Sequence, residues 1–308
     1  MVHRDQAGDW QVSPTVEKTY ALIVNPSAGG GRALKLLPEA ERAFDERRMI
    51  FRVERTRSKE HGVDLALGAV DAGEVPVVMS GDGLIGVIGG AMAGAGASLG
   101  IVPGGRGNDL ARGLGIPVDP TAAVESIAAG STVDLDVGEA NGERFLGIAS
   151  VGFDSEANRI ANASRLSGNL VYAWAALRAL AGWKPERFSL IEDGIQSRFT
   201  GYTVAVANNG FYGGGMEMAP GADPCDGRLD VVTVGEVGRL RFLFNLPRVF
   251  RGKHVDGEKV KSWRTAGIEI RASRPLTVYA DGDPLTELPA RVRVLPGALP
   301  VIVPGDAT

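Results

Sequence analysis

The sequence predicts an α/β domain built on a parallel sheet, followed by a mainly antiparallel β-sandwich domain. Three observations lead there. Three short apolar runs each end in a glycine-rich loop, and each loop is followed by helix-compatible sequence. From about Thr132 the texture changes to short β-rich runs separated by turn residues. The chain has 308 residues, which at roughly 150 residues per domain accommodates two. We divide it into an N-terminal tail (1–18), an α/β domain (19–132) and a β domain (133–308) whose last segment could pack back on the first.

Tyr20 to Val24 is a short β-branched run that ends in Asn25-Pro26-Ser27-Ala28-Gly29-Gly30-Gly31. Leu34 to Arg48 follows, with Leu34, Leu37, Ala40 and Phe44 at helical spacing. Val75 to Met79 ends in Ser80-Gly81-Asp82-Gly83, with helical character over Gly86 to Ala95. Leu99 to Val102 ends in the turn from Pro103 to Asp109, with a helical stretch over Leu110 to Leu114. Ligands of parallel sheets sit at the carboxyl ends of the strands, the edge on which all three loops fall.

In the second domain the β-rich runs are Val133 to Val137, Phe145 to Ser150, Tyr202 to Ala207, Leu229 to Val234, Ile268 to Ala272, Leu276 to Ala280, Val292 to Leu295 and Val301 to Val303. A long alanine- and leucine-rich helix is expected over Ser155 to Ala181, and an apolar, basic stretch runs from Val237 to His254.

Composition narrows the function classes. The net charge of −4 argues against nucleic acid as a partner, because such binders carry a basic excess. The single cysteine, Cys225, cannot form an intrachain disulfide, which suits a reducing, cytoplasmic compartment. Met1 to Pro14 has no apolar core and does not read as a signal peptide. With no run of about 18 apolar residues, any membrane contact is expected to be peripheral. The alanine- and glycine-rich composition suits a bacterium. Oligomeric state is not readable, and a homodimer is one alternative.

Glycine loops of this kind let backbone N–H groups approach an anion with no side chain in the way, and a helix that starts just after adds its positive dipole end. Residues 25 to 32 offer this, with Arg32 as a fixed charge. Residues 80 to 86 offer it with Asp82, and residues 103 to 109 add Arg106, Asn108 and Asp109. An aspartate beside polyphosphate implies an intervening cation, and Mg2+ is the natural one. One such loop alone is also what an ordinary βα turn looks like. Three on one edge, two of them acidic, favour the anion site.

Competing motifs fail on context. Gly81, Gly83 and Gly86 satisfy G-x-G-x-x-G, but the next strand ends in Pro103-Gly104 where a dinucleotide fold wants an acid. Gly96 to Gly100 matches G-x-S-x-G with strand and helix in the wrong order. Gly252-Lys253-His254 lacks the hydroxyl residue of a P-loop, and His3, His61 and His254 show no metal spacing. In the β domain, acids cluster at Asp223, Asp226 and Asp230 and again at Asp281 and Asp283; an Asp-Gly pair between strands is also what a hairpin turn looks like.

Taken in order, Asn25-Pro26 with its glycines, Ser80-Gly81-Asp82-Gly83, Pro103 with Gly107-Asn108-Asp109-Leu110-Ala111-Arg112, Gly152-Phe153-Asp154, Asp226-Gly227-Arg228-Leu229-Asp230 and Asp281-Gly282-Asp283 resemble the diacylglycerol kinase catalytic family. That family includes the bacterial YegS and DgkB-like lipid kinases and the sphingosine and ceramide kinases. The resemblance runs from about residue 20 to residue 304. A Gly-Asp-Gly loop alone also occurs in NAD kinases and phosphofructokinases.

The resemblance implies a nucleotide-binding α/β domain and a β-sandwich with the active site in the cleft between them. It implies ATP held by Asn25, Pro26, Ser27, Gly29, Gly30, Gly31, Arg32, Thr56, Ser80, Gly81, Gly83, Leu84, Gly86, Gly105 and Arg106. Asp82 would organise nucleotide and Mg2+, with Asn108 and Asp109 supporting the cleft. Asp281 or Asp283 would be the general base for a lipid hydroxyl, and the loop carrying Asp226, Arg228 and Asp230 would hold a structural Mg2+. The sequence departs from the family at Leu84, Gly86 and Val87, where threonine, asparagine and glutamate are usual. It departs again at Arg106, where threonine is usual, and at Asp283, where glutamate is usual.

Leu240, Phe242, Leu243, Phe244, Leu246, Val249 and Phe250 stand among Arg239, Arg241, Arg248, Arg251 and Lys253, the mixture an interfacial segment needs and equally that of a core helix with a basic face. The leading expectation is an ATP- and Mg2+-dependent lipid kinase acting on diacylglycerol. Sphingosine- or ceramide-type acceptors, an NAD-kinase-like activity and a non-catalytic lipid or nucleotide sensor are the alternatives.

Overall fold

The computed structural model describes residues 2–4, 10–12, 18–162, 178–179, 182–238, 241–242 and 247–305. Near the N-terminus, within the stretch read as a tail, β1 (Val2–Arg4) pairs antiparallel with β2 (Trp10–Val12).

The first domain is a four-stranded parallel sheet of β3 (Thr19–Val24), β4 (Ile50–Arg55), β5 (Val75–Ser80) and β6 (Gly100–Pro103), in the order β4-β3-β5-β6. Strands β3, β5 and β6 read as apolar runs because helices cover the sheet, whereas the edge strand β4 carries Arg52, Glu54 and Arg55. These are α1 (Arg32–Glu46), α2 (Lys59–Asp71), α3 (Asp82–Met92), α4 (Asp109–Gly113) and α5 (Pro120–Ala129). On α1, Leu37, Ala40 and Phe44 face the core as their spacing predicts, while Leu34 stays exposed. The β4, α2 and α5 segments lacked a glycine loop to flag them. Two of them carry ordinary caps instead: Ser58 Oγ accepts from His61 N, and Asp119 Oδ1 accepts from Ala122 N.

The second domain is an antiparallel sandwich. Its strands are β7 (Thr132–Ala140), β8 (Glu143–Phe145), β9 (Ile148–Gly152), β10 (Glu186–Glu192), β11 (Ile195–Ala207), β12 (Phe211–Tyr212), β13 (Met216–Glu217), β14 (Leu229–Gly235), β15 (Val260–Thr265), β16 (Gly267–Ala272), β17 (Thr277–Ala280), β18 (Asp283–Glu287) and β19 (Ala290–Ile302). Strand β11 carries the chain from one layer to the other, since its first half pairs with β10 and its second half with β9 and β14. Gly201 sits at the crossing, where a Cβ would stand 2.3 Å from the Val234 carbonyl oxygen. The expected runs over Val292 to Leu295 and Val301 to Val303 belong largely to one strand, β19, irregular between Leu295 and Leu299. Of the expected long helix the described part is α6 (Phe153–Asn162) with residues 178–179; 163–177 and 180–181 lie outside the described residues. In the Val237 to His254 stretch, 239–240 and 243–246 lie outside them as well.

The two domains share a core. Leu299, Val301 and Ile302 of β19 pack among the buried residues of the first domain, and Leu99 bridges in parallel to Val301. Helix α3 is pressed against the second domain along a face of glycines. A Cβ at Gly89 would lie 2.5 Å from Leu146 Cδ1, and one at Gly90 would lie 3.1 Å from Arg144 Cβ. Glycine within a helix costs about 1 kcal/mol, and here close approach accounts for it. Arg144 then reaches over and donates to the carbonyl oxygens of Gly90 and Ala93 (2.9 and 3.1 Å), closing the end of α3.

Candidate active site

The glycine loops converge backbone to backbone. Gly29, Gly30 and Gly31 all have positive φ (61°, 71° and 91°), which glycine adopts without strain. A Cβ on Gly29 would lie 2.7 Å from the Gly104 carbonyl oxygen, and one on Gly81 3.1 Å from Gly105 Cα. Side chains lock the same junction: Asn25 Oδ1 accepts from Ser27 N, Asn25 Nδ2 donates to Ser80 Oγ, and Asn108 Oδ1 accepts from Gly105 N (3.1, 3.3 and 2.8 Å). Asn108 is buried with φ of 50° and holds the turn rather than facing outward. Arg32 donates to the Gly105 carbonyl (3.3 Å), and Arg106 Nη2 lies 3.6 Å from where a Gly30 Cβ would be. Two guanidinium groups therefore flank the loops. Pro26 is half-buried and Ser27 exposed, whereas Thr56 is buried, its N–H donating to the Val24 carbonyl (2.9 Å).

Below the loops, carboxylates from three elements meet. Asp82 begins α3, and its Oδ1 accepts from Leu110 N (3.0 Å). Asp109 begins α4, and its two oxygens accept from Gly214 N and Gly215 N (2.8 and 2.7 Å). Those amides belong to the turn between β12 and β13. Asp281, in the β17–β18 turn, accepts from Leu146 N and Gly147 N (3.1 and 3.0 Å). The expected strand over Phe145 to Ser150 is interrupted for this reason: the amides of Leu146 and Gly147 turn to the Asp281 carboxylate instead of continuing a ladder.

The three acids line one cavity of about 90 Å³, together with Phe211, Tyr212 and Tyr279. Asp283 is not part of that lining. Its carboxylate turns outward to Lys59, Nζ to Oδ2 2.5 Å.

Burial and mutual repulsion hold the acids toward the protonated form. Asp281 is pushed up to about 7, first by burial and then by the charge of Asp82, against the two backbone amides that lower it. Asp109 is pushed up to about 6 by burial, with Asp82 adding to the rise. Asp82 is also raised, again by burial first.

The Asp82–Asp109 pair fits a divalent cation. A Cβ on Gly107 would lie 2.9 Å from Asp109 Oδ2 and 3.2 Å from Asp82 Oδ2, so the glycine leaves a cradle open between two like charges. Among the described residues no group of three or more His, Cys, Asp or Glu side chains forms a metal cage, so such an ion would draw its remaining ligands from phosphate and water.

The second predicted metal position reads differently. Asp226 Oδ1 accepts from Arg228 N (2.9 Å), and the Arg264 guanidinium lies between the two acids, 3.2 Å from Asp226 Oδ2 and 3.7 Å from Asp230 Oδ1. The positive charge among the side chains there is the Arg264 guanidinium. The loop is tied down by buried Asp136, which accepts from Gly227 N and Gly297 N (2.6 and 2.7 Å).

The departures from the family pattern also have places in the structure. A Cβ at Gly86 would lie 2.6 Å from Asp281 Oδ2, so glycine there makes room for that carboxylate. Val87 is exposed, and Leu84 is buried in the first-domain core. Sequence reasoning missed Lys59, Arg264 and the Gly213-Gly214-Gly215 turn. Only the last had a signal, its three consecutive glycines.

A second, larger cavity of about 310 Å³ lies in the sandwich domain, walled in part by Met216, Met218, Val234, Phe242 and Val249 and in part by Arg241, Arg248, His254, Glu258 and Lys259. Tyr212 lines both cavities.

Residues 19–140 match the family described as "Diacylglycerol kinase catalytic domain", and residues 147–303 match "YegS C-terminal NAD kinase beta sandwich-like domain". A protein of Mycobacterium tuberculosis named "Diacylglycerol kinase" is 34% identical over 292 residues, covering 92% of this chain and 94% of its own. A Pseudomonas fluorescens protein named "Probable lipid kinase YegS-like" is 32% identical, covering 78% and 81%. Among solved structures, a diacylglycerol kinase from Bacillus anthracis superposes with a TM-score of 0.73 at 22% identity over 96% of this chain and 100% of that one, a likeness of fold.

Proposed function

The chain belongs to the diacylglycerol kinase catalytic domain family and is a lipid kinase, and on that footing we propose that it transfers the γ-phosphate of ATP, with Mg2+, to the free hydroxyl of diacylglycerol. The observation that carries the reading is the Asp281 carboxylate, fixed by two backbone amides in a cleft it shares with Asp82 and Asp109.

In this reading Asp281 is the general base. Its upward shift to about 7 leaves it able to accept a hydroxyl proton near neutral pH. The acceptor oxygen then bonds to the γ-phosphorus as the bond to the ADP oxygen breaks. Positioning and charge neutralisation supply most of the catalysis in such transfers. The glycine loops would cradle the phosphates, with Arg32 and Arg106 at their edge. Asp82 and Asp109 would hold Mg2+, which when bound neutralises charge on the phosphates. Asp283, paired with Lys59, is the weaker candidate for the base.

The sandwich cavity supports an acyl-bearing acceptor. Part of its wall is methionine, valine and phenylalanine, part carries Arg241, Arg248, His254, Glu258 and Lys259, and Tyr212 stands between it and the acidic cleft, so an acyl chain could lie along the apolar part with its hydroxyl toward Asp281. Phe250 supports peripheral membrane contact: it is 55% exposed and stands beside Arg248, Arg251 and Lys253, all exposed. Among the described residues no helix is long and apolar enough to cross a membrane.

The test is transfer from γ-labelled ATP with Mg2+ to mixed micelles containing diacylglycerol, a long-chain base or ceramide. Labelled phosphatidic acid is the expected product. Labelling of a different lipid would replace the acceptor and keep the mechanism, whereas folded protein that labels none would count against the reading.

A further inference from the structure

Asp281 and Gly282 close the β17–β18 hairpin with φ of 51° and 91°, the pair of positive values that an Asp-Gly hairpin turn favours, so the local sequence sets the shape of the turn and contacts from outside set where it stands. Among the described residues, three contacts hold its two aspartates. The Leu146 and Gly147 amides grip Asp281 from the second domain. The bare face of α3 lies against it from the first domain, where a Cβ at Gly83 would stand 2.8 Å from Asp283 Oδ2 and 3.5 Å from the Asp281 carbonyl oxygen. The third contact is Lys59, the first residue of α2, whose Nζ lies 2.5 Å from Asp283 Oδ2. Lys59 is the contact that joins the turn to the first domain through a charged side chain.

We propose that Lys59 is a positioning residue: by clasping Asp283 to the start of α2, it holds the turn against α3 and fixes where the Asp281 carboxylate stands relative to the phosphates gripped by the first domain. This rests on Asp281 being the base. The two side chains of the pair are 43% and 40% exposed, and an ion pair at that exposure contributes little to stability. The effect of losing it therefore falls on geometry. In a reaction that depends on alignment, a displacement of about 1 Å lowers the rate by as much as about 100-fold.

The test is a double-mutant cycle of Lys59→Ala and Asp283→Asn, with Lys59→Arg and the reversed pair Lys59→Asp/Asp283→Lys alongside. Steady-state kinetics are read against both ATP and lipid. Hydrogen exchange at the Leu146 and Gly147 amides is read in the nucleotide-free protein. The inference expects Lys59→Ala to lower kcat about 10-fold with both KM values within about two-fold, and Lys59→Arg to keep most of the rate. It expects no further loss when Lys59→Ala is added to Asp283→Asn, partial recovery in the reversed pair over either single reversal, and faster exchange at both amides in Lys59→Ala.

A raised ATP KM at unchanged kcat would overturn the inference by making Lys59 a nucleotide contact. So would an unaltered kcat, or losses that add across the cycle. If Lys59→Ala lowers Tm and obscures the comparison, the reversed pair and Lys59→Arg decide. Wild-type protein that phosphorylates no lipid would sink the proposed function and this inference with it; an active wild type with Lys59→Ala unchanged would sink this inference alone.

Discussion

The second domain carries two aspartate turns of nearly the same composition, and they have opposite electrostatic surroundings. Asp226 and Asp230 share the Arg264 guanidinium. Asp281 is buried, is held by two backbone amides and faces Asp82 across the cleft; burial first, and the Asp82 charge after it, raise its pKa to about 7. The neighbouring acid Asp283 is neutralised by Lys59. The lesson is that a carboxylate matched with a cation is a strut, while one held by dipoles among like charges is poised for chemistry. Asp-Gly spacing alone does not distinguish the two.

The sharpest way to break the comparison is to remove the carboxylate from each turn. Asp281→Asn should lower kcat by about 1,000-fold, within the range that general-base catalysis supplies, while Asp226→Asn should leave kcat within about two-fold. Steady-state phosphorylation of diacylglycerol measures both. A smaller effect is expected from Gly86→Ala, whose methyl would press within 2.6 Å of Asp281 Oδ2. Displacing the carboxylate should lower kcat by about 10- to 100-fold, with the ATP KM little changed.

Stability should respond to pH through Asp281. A carboxyl whose pKa is higher folded than unfolded binds its proton more tightly when folded. For Asp281, raised from 3.8 to about 7, the cost to stability is absent below about pH 4, grows as the pH rises, and is fully present above about 7. Asp281→Asn removes this pH-dependent cost but leaves one of the Leu146 and Gly147 amides facing an NH2 group, so relative to wild type it should be destabilised by about 1–3 kcal/mol at acid pH and gain on wild type as the pH rises from about 4 to about 8, as followed by urea unfolding.

The smallest effect belongs to the other turn. Arg264→Gln should destabilise at pH 7 by about 1 kcal/mol, because Asp230 stays buried without its partner, with activity nearly unchanged. Thermal unfolding and the same kinetic assay check it.

The first domain was largely legible because glycine loops after apolar strands are a local signal. β3, β5 and β6 with their loops stand where the runs indicated, and the Asp82 and Asp109 loops do converge. What stayed hidden depended on partners distant in sequence. Nothing local to Phe145–Ser150 shows that Asp281 would take the amides of Leu146 and Gly147 and split the run. Nothing around Asp226 foretells Arg264. Lys59 carries no local signal, and its partner lies in the other domain. Gly86 looked like a lost polar ligand, whereas the structure gives its space to the Asp281 carboxylate.

The central claim is that Asp281 takes the proton of a lipid hydroxyl. The most direct test is the pH dependence of kcat/KM for diacylglycerol between pH 5 and 9, for wild type and Asp281→Asn. The account predicts a wild-type rate that rises about tenfold per pH unit below about 7 and then levels, and a residual Asp281→Asn rate about 1,000-fold lower that lacks this limb. An Asp281→Asn enzyme with the wild-type rate, or with the same limb near pH 7, would contradict it.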